Sequence, residues 1–167
     1  MPQRSRRIVV VAHCVLNANS KVCGLANYAG AVEPTVSAVI ESGAGIVQLP
    51  CPEASFLGMR RWGMTHEQYD TPAYRRHCRR ILETTIDELV AFDDVGYSIE
   101  RVIGIDGSPS CGVTVTCTGY AGGEIESVPS CAKTPGSGVF MEELRALLEE
   151  SDLDIPFEAI DEDNPGG

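Results

Sequence analysis

The sequence predicts a three-layer, Rossmann-like α/β fold with a central, mainly parallel sheet, on three observations. Three short apolar runs, IVVVA (8–12), GIVQL (45–49) and RVIGI (101–105), are too continuous for strands with one wet face; such runs mark strands covered on both sides. Helical patterns separate them, and a β-α-β-α-β order builds a parallel sheet through right-handed crossovers. The length, 167 residues with 43% hydrophobic content, suits one core. Residues 1–160 are therefore read as a single α/β domain and the acidic stretch 161–167 as a disordered tail.

The first helical segment, 34–42, places Val36, Val39 and Ile40 on one side. The second, 72–92, carries Tyr74, Cys78, Ile81, Leu82, Leu89 and Phe92 along one stripe. Its start is marked by Thr71 as N-cap and Pro72 at the first helical position. After the third strand VTVTCT (113–118) alternates, a helix over 138–150 turns Phe140, Leu144, Leu147 and Leu148 inward, and FEAI (157–160) adds a last strand. Ligands of such folds bind beyond the carboxyl ends of the strands, which is where function is to be sought.

The net charge of -11, from 24 acidic and 13 basic residues of which only two are lysines, opposes binding to a phosphate backbone. No nucleic-acid partner is expected. No run of about 18 apolar residues offers a membrane span, and MPQRSRR leads into the first strand without a cleavage-site pattern. The expectation is a cytoplasmic protein with no membrane partner. Its oligomeric state has no signature in the sequence. Seven cysteines, an odd number in a reducing compartment, do not suggest a disulfide framework.

Each core strand instead runs into a loop that soon carries a cysteine: IVVVAHC ends at Cys14, GIVQLPC at Cys51 and RVIGIDGSPSC at Cys111. A parallel sheet delivers all three thiols to one edge, and three convergent thiolates suggest a metal site with one open position. Taken singly, each is a small buried hydrophobe. Pro52 and Gly112, next to two of them, favour fixed, non-helical backbone. Cys78 on the helical stripe and Cys117 in the alternating strand read as packing, while the spacing leaves Cys23 and Cys131 open as ligands. With no C-x-x-C pair and no compact ferredoxin run, zinc ribbons, thioredoxin-type motifs and ordinary ferredoxins fit badly. A cysteine hydrolase stays open, with Cys111 as nucleophile and His13, His66 or His77 as base. Against it, Pro109 stands where a nucleophile elbow has glycine, and His77, among arginines, reads as a surface residue.

GSPSCG (107–112) after the third strand, CPE (51–53) after the second and a cysteine closing the first together resemble the thiouracil desulfidase family, over residues 7–119. The resemblance implies a 4Fe-4S cluster held by Cys14, Cys51 and Cys111, with the fourth iron lacking a protein ligand. It also implies non-redox removal of sulfur, as hydrogen sulfide, from a small thiolated substrate of the thiocarbonyl type. Glu53 would be the catalytic carboxylate, with His13 next in line as base, and Ser108 the serine that orients water or substrate. The chain departs from the family at AHCVLN, where the others carry a small residue before the cysteine and a glycine soon after, and in the insert-like MRRWGMTHEQYD (59–70). That insert, with Arg60, Arg61, Trp62, His66, Glu67 and Tyr69, is expected to wall the pocket and choose the substrate, Arg60 and Trp62 together with Ser110 being the expected substrate-binding residues; as a plain surface loop, the insert would be pinned to the core by Trp62. Two other readings remain: a non-catalytic iron–sulfur or metal-binding module, and a cofactor-free hydrolase using Cys111.

Overall fold

A computed structural model describes residues 3–124 and 131–164; the last three residues of the acidic ending lie outside the described residues. Along the chain run β1 (Arg7–Val11), α1 (His13–Leu16), a 3-10 turn (Ala18–Ser20), α2 (Glu33–Ser42), β2 (Gly45–Gln48), α3 (Pro52–Leu57), α4 (His66–Tyr69), α5 (Pro72–Asp94), β3 (Ser98–Ile105), β4 (Val115–Thr118), β5 (Ala132–Pro135), α6 (Val139–Glu150) and β6 (Phe157–Ile160). The architecture is mixed α/β. Four parallel strands form the central sheet in the order β2-β1-β3-β6, and β4 pairs with β5 as a separate antiparallel ribbon.

The apolar runs end up where their continuity predicts, with one exception. Val9, Val10 and Val11 of β1 and Val102 and Ile103 of β3 are buried, as two-sided cover requires. GIVQL, however, supplies an edge strand: Gly45 and Gln48 are exposed, Ile46 and Val47 are half-buried, and only Leu49 beyond the strand is fully buried. Having one neighbour, β2 leaves little to cover the helix beside it. The consequence is visible on α2, where Val39 is buried but Ile40 is 63% exposed. The expected three-residue apolar face is narrower than the sequence suggested.

Helix α5 starts as its sequence dictates. Thr71 Oγ1 accepts from the Tyr74 N–H at 3.3 Å, and Pro72 occupies the first turn. Tyr74, Cys78, Leu82 and Leu89 are buried, with Ile81 and Phe92 at the margin of the core. The opposite side carries arginines that tie α5 to α6. Arg75 pairs with Asp70, Glu142 and Glu143 at 2.7–2.8 Å, and Arg79 with Glu143 and Glu150 at 3.1 and 2.6 Å. His77 departs from expectation: it is 7% exposed, and its Nε2 lies 2.8 Å from Ser55 Oγ. Burial, and then the nearby Arg80 charge, push its pKa down. It braces α3 against α5 rather than facing solvent.

Three glycines are required by close approach, one of them Gly112, where a methyl group would lie 2.3 Å from the Val115 carbonyl oxygen. A methyl group on Gly104 would lie 2.5 Å from the Cys111 carbonyl oxygen, and one on Gly138 would strike the Ser110 carbonyl. The turn after β3 is thus clamped between its own strand and the start of α6. Gly138 N–H donates to Gly112 O (2.9 Å), Val139 N–H to Pro109 O (3.0 Å) and Met141 N–H to Ser110 O (3.2 Å). These bonds occupy amides that a helix start otherwise leaves unpaired.

Candidate functional site

The sheet edge at which β1, β2 and β3 end carries the three cysteines singled out from the sequence. Cys14 lies in α1, immediately beyond β1; Cys51 caps α3, its Sγ accepting from the Ala54 N–H at 3.4 Å; Cys111 sits in the turn that follows β3. That turn is built from its own short polar side chains. Ser108 Oγ accepts from the N–H groups of Cys111 (2.9 Å) and Ser110 (3.3 Å), and Asp106 Oδ1 accepts from Val113 and Thr114 N–H, both at 2.9 Å. Burial raises the Asp106 pKa, but the bonds from Thr114 and Val113 outweigh it and hold the carboxyl below its ordinary value. Ile105 N–H closes the turn onto Cys111 O at 2.9 Å.

All three thiols are free and line one cavity of about 440 Å³, together with Glu53 and Ser108. Three ion pairs ring it. Arg61 Nε donates to Glu53 Oε2 at 3.1 Å, Lys133 pairs with Asp163 at 3.1 Å, and Lys21 pairs with Glu162. Both lysines of the chain are therefore at this cavity. Arg61 also donates to Ser20 O (2.6 Å) and Gly58 O (3.2 Å), which makes it a buried brace for Glu53. Residues 161–163, assigned from sequence to a tail, form part of the cavity wall.

The other expected site residues are elsewhere. Arg60 is exposed, Trp62 is 53% exposed and does not pin its loop to the core, and neither lines the cavity; Arg61, between them, does. Ser110 is fully buried, its Oγ 2.8 Å from Tyr74 Oη, so it anchors the turn to α5 instead of facing a ligand. His13 lies with Cys51 in a neighbouring cleft of about 430 Å³, its Nδ1 3.2 Å from Leu49 O. His66 Nε2 lies 3.2 Å from Glu142. Among the described residues that line the cavity there is no histidine. Cys117, assigned to packing, is buried in β4 as expected, but it is joined by a disulfide to Cys131, and both line the cavity. Arg61 comes from the insert expected to wall the pocket, whereas Lys21 and its long-range partner Glu162 carried no local sequence signal.

Burial pushes the Cys14 thiol up to about 12, with the nearby Lys21 charge opposing and Glu162 adding; burial raises Cys51 and Cys111 as well. Among the described residues no group of three or more His, Cys, Asp or Glu side chains is arranged to hold a single metal ion. A multi-iron cluster makes a different demand, since its thiolates bind different irons and must be spaced around a chamber. Three soft thiol donors around a cavity fit that requirement better than a one-ion site.

The raised thiols have a consequence for the metal-free protein. Below the ordinary thiol value of 9.0 they are protonated whether the chain is folded or not; above it the unfolded chain ionises and the folded chain resists. Stability is expected to fall from pH 9 towards the Cys14 value of about 12, by up to about 1.4 kcal/mol per pH unit per thiol. Thermal melts across that window check it, with Cys14→Ala predicted to flatten the slope. An equally steep slope in the variant would remove the attribution.

No family model matches the chain. Over 93% of its length it superposes on 91% of the 4Fe-4S-dependent thiouracil desulfidase TudS, with a TM-score of 0.54 and 21% identity, so the two share a fold. It is 40% identical over 110 residues to the uncharacterized protein MJ0003 of Methanocaldococcus jannaschii, an alignment covering 66% of this chain and 70% of that one. The chain belongs to the same family as this archaeal protein. Among the described residues no helix is long and apolar enough to cross a membrane.

Proposed function

We propose that Cys14, Cys51 and Cys111 hold a 4Fe-4S cluster, one iron of which has no protein ligand, and that the protein is a desulfidase. In this reading it removes sulfur as hydrogen sulfide from a small thiocarbonyl compound without net electron transfer. The observation that carries it is the meeting of three free thiols, Glu53 and Ser108 in one cavity. The shared fold with a desulfidase supports it. The same reading includes a Rossmann-like arrangement of the sheet and helices, a cytoplasmic location, and a small molecule rather than nucleic acid as partner, in keeping with the net charge of -11.

When bound, the cluster would supply a Lewis-acidic iron that draws electron density from a thiocarbonyl sulfur. The chain's own residues supply the proton handling. Arg61 engages Glu53 through Oε2 and fixes its direction at the start of α3, so the carboxylate is set to take a proton from an attacking water. Ser108 Oγ already accepts two backbone N–H bonds and keeps its own O–H to donate, which suits it to orient that water or the substrate. A cofactor-free hydrolase is disfavoured, because Cys111 is buried, its thiol is raised, and among the described residues no histidine lines its cavity.

Anaerobic purification with iron and sulfide analysis, followed by assay of thioamides and thiolated bases, tests the proposal. About four irons and four sulfides per chain are expected, with sulfide released from at least one thiocarbonyl class. A loaded protein that releases none is a binding module, and a protein that takes up no iron on reconstitution overturns the assignment.

A further inference from the structure

Five of the seven cysteines line one cavity, and two of them do not belong to the three-thiol set. Cys117 on β4 and Cys131, which immediately precedes β5, are joined by a disulfide that the reading above does not use. Its two sulfurs are unlike. Cys131 is exposed, whereas Cys117 is 4% exposed and its Sγ lies 3.9 Å from the carbonyl oxygen of Met64. Exchange at a disulfide needs one sulfur open to attack and a partner that can leave. Here Cys131 is the exposed residue of the pair, and the Met64 carbonyl can accept from the Cys117 S–H once the bridge opens. Lys21 and Lys133 line the same cavity, each paired with a carboxylate, Glu162 and Asp163 respectively.

We propose that the Cys117–Cys131 bridge is a covalent capture site for hydrosulfide, facing the cavity in which hydrosulfide is released. This rests on the desulfidase reading for the origin of its ligand. In the capture step HS⁻ attacks the Cys131 sulfur; a new S–S bond forms between them and the bond to Cys117 breaks. Cys117 leaves as a thiolate and takes up a proton. The incoming sulfur is oxidised from sulfide to the persulfide level while the bridge is reduced by the same two electrons, so no outside oxidant is consumed. Capture reverses when the Cys117 thiolate attacks Cys131 and expels hydrosulfide, which restores the bridge. The pair thus binds the product reversibly without being used up.

The test uses the full chain with its bridge intact, exposed to sodium sulfide without reductant or oxygen, alkylated with iodoacetamide, and read by intact and peptide mass spectrometry. The expected result is one added sulfur on Cys131 together with an alkylatable thiol at Cys117. In Cys131→Ser, a change at an exposed position, and in Cys117→Ser, sulfur capture at this hairpin falls to background. A parallel arm replaces sulfide with 2-mercaptoethanol. If that thiol opens the bridge as readily at equal concentration, the site is a general thiol-exchange site and the hydrosulfide assignment is overturned. A bridge absent from the purified protein, or added sulfur found only at Cys14, Cys51 and Cys111, also overturns it. The two readings separate: turnover of thioamides with no capture sinks this inference alone, whereas capture without turnover sinks the desulfidase reading and with it the origin of the ligand, leaving the bridge as a hydrosulfide site.

Discussion

Replacing Cys14, Cys51 or Cys111 by serine, one at a time, is expected to abolish iron retention in anaerobically purified protein, whereas Cys78→Ala retains it. A serine hydroxyl is a hard, poorly ionised donor, and a cluster that has lost one of three protein thiolates is left with two. Cys78 is as deeply buried as any of them, but it packs along the core face of α5 and does not line the cavity. Its loss costs on the order of 1 kcal/mol of stability and nothing in metal content. Iron per chain in the four variants, beside a thermal melt for each, makes the comparison. Equal iron in all four would mean that the cavity thiols are not the ligands.

Glu53→Gln is expected to leave iron content near normal and to lower sulfide release by about 100-fold to 10,000-fold, the span of a general acid–base contribution. The amide oxygen can still accept from Arg61 Nε, and Arg61 keeps its bonds to Ser20 O and Gly58 O, so the start of α3 stays in place. What the variant loses is a group that can take a proton. Near-normal sulfide release would remove Glu53 from the chemistry. Loss of iron would make it structural and pass the base role to a neighbour, with His13 across Cys51 the first to examine.

The parts of this protein that were legible in its sequence are those written locally. Thr71 and Pro72 announce the start of α5, and buried parallel strands betray themselves by unbroken apolar runs such as IVVVA. The three strand-end cysteines followed from the same logic, because a parallel sheet fixes which edge each loop leaves from. Arg61 could not be told from Arg60, since which of two adjacent arginines turns inward depends on carbonyls at Ser20 and Gly58 that only the fold supplies. Glu162 looked like tail composition until Lys21, far away in the chain, gave it a partner. His77 is a different kind of miss. It stands three residues after Tyr74 on the buried stripe, and its helical phase outweighs the polarity of its arginine neighbours. Cys131 had no readable partner, because nothing in AKTP announces a strand that would pair with VTCT.

The sheet order β2-β1-β3 carries a consequence for the sequence of events in the cell. Cys14 and Cys51 come together as soon as β1 and β2 pair, but Cys111 joins them only after β3 has docked on the other side of β1, and α6 must then arrive to clamp the turn that carries it. Parallel pairings between distant segments are slow steps, because loop closure must be completed before the contacts that reward it can form. The donor set is therefore not expected to nucleate folding in the way a zinc finger folds around its ion. The apolar core is expected to assemble the sheet before the three-thiol set is complete, and whatever the thiols hold is expected to arrive late.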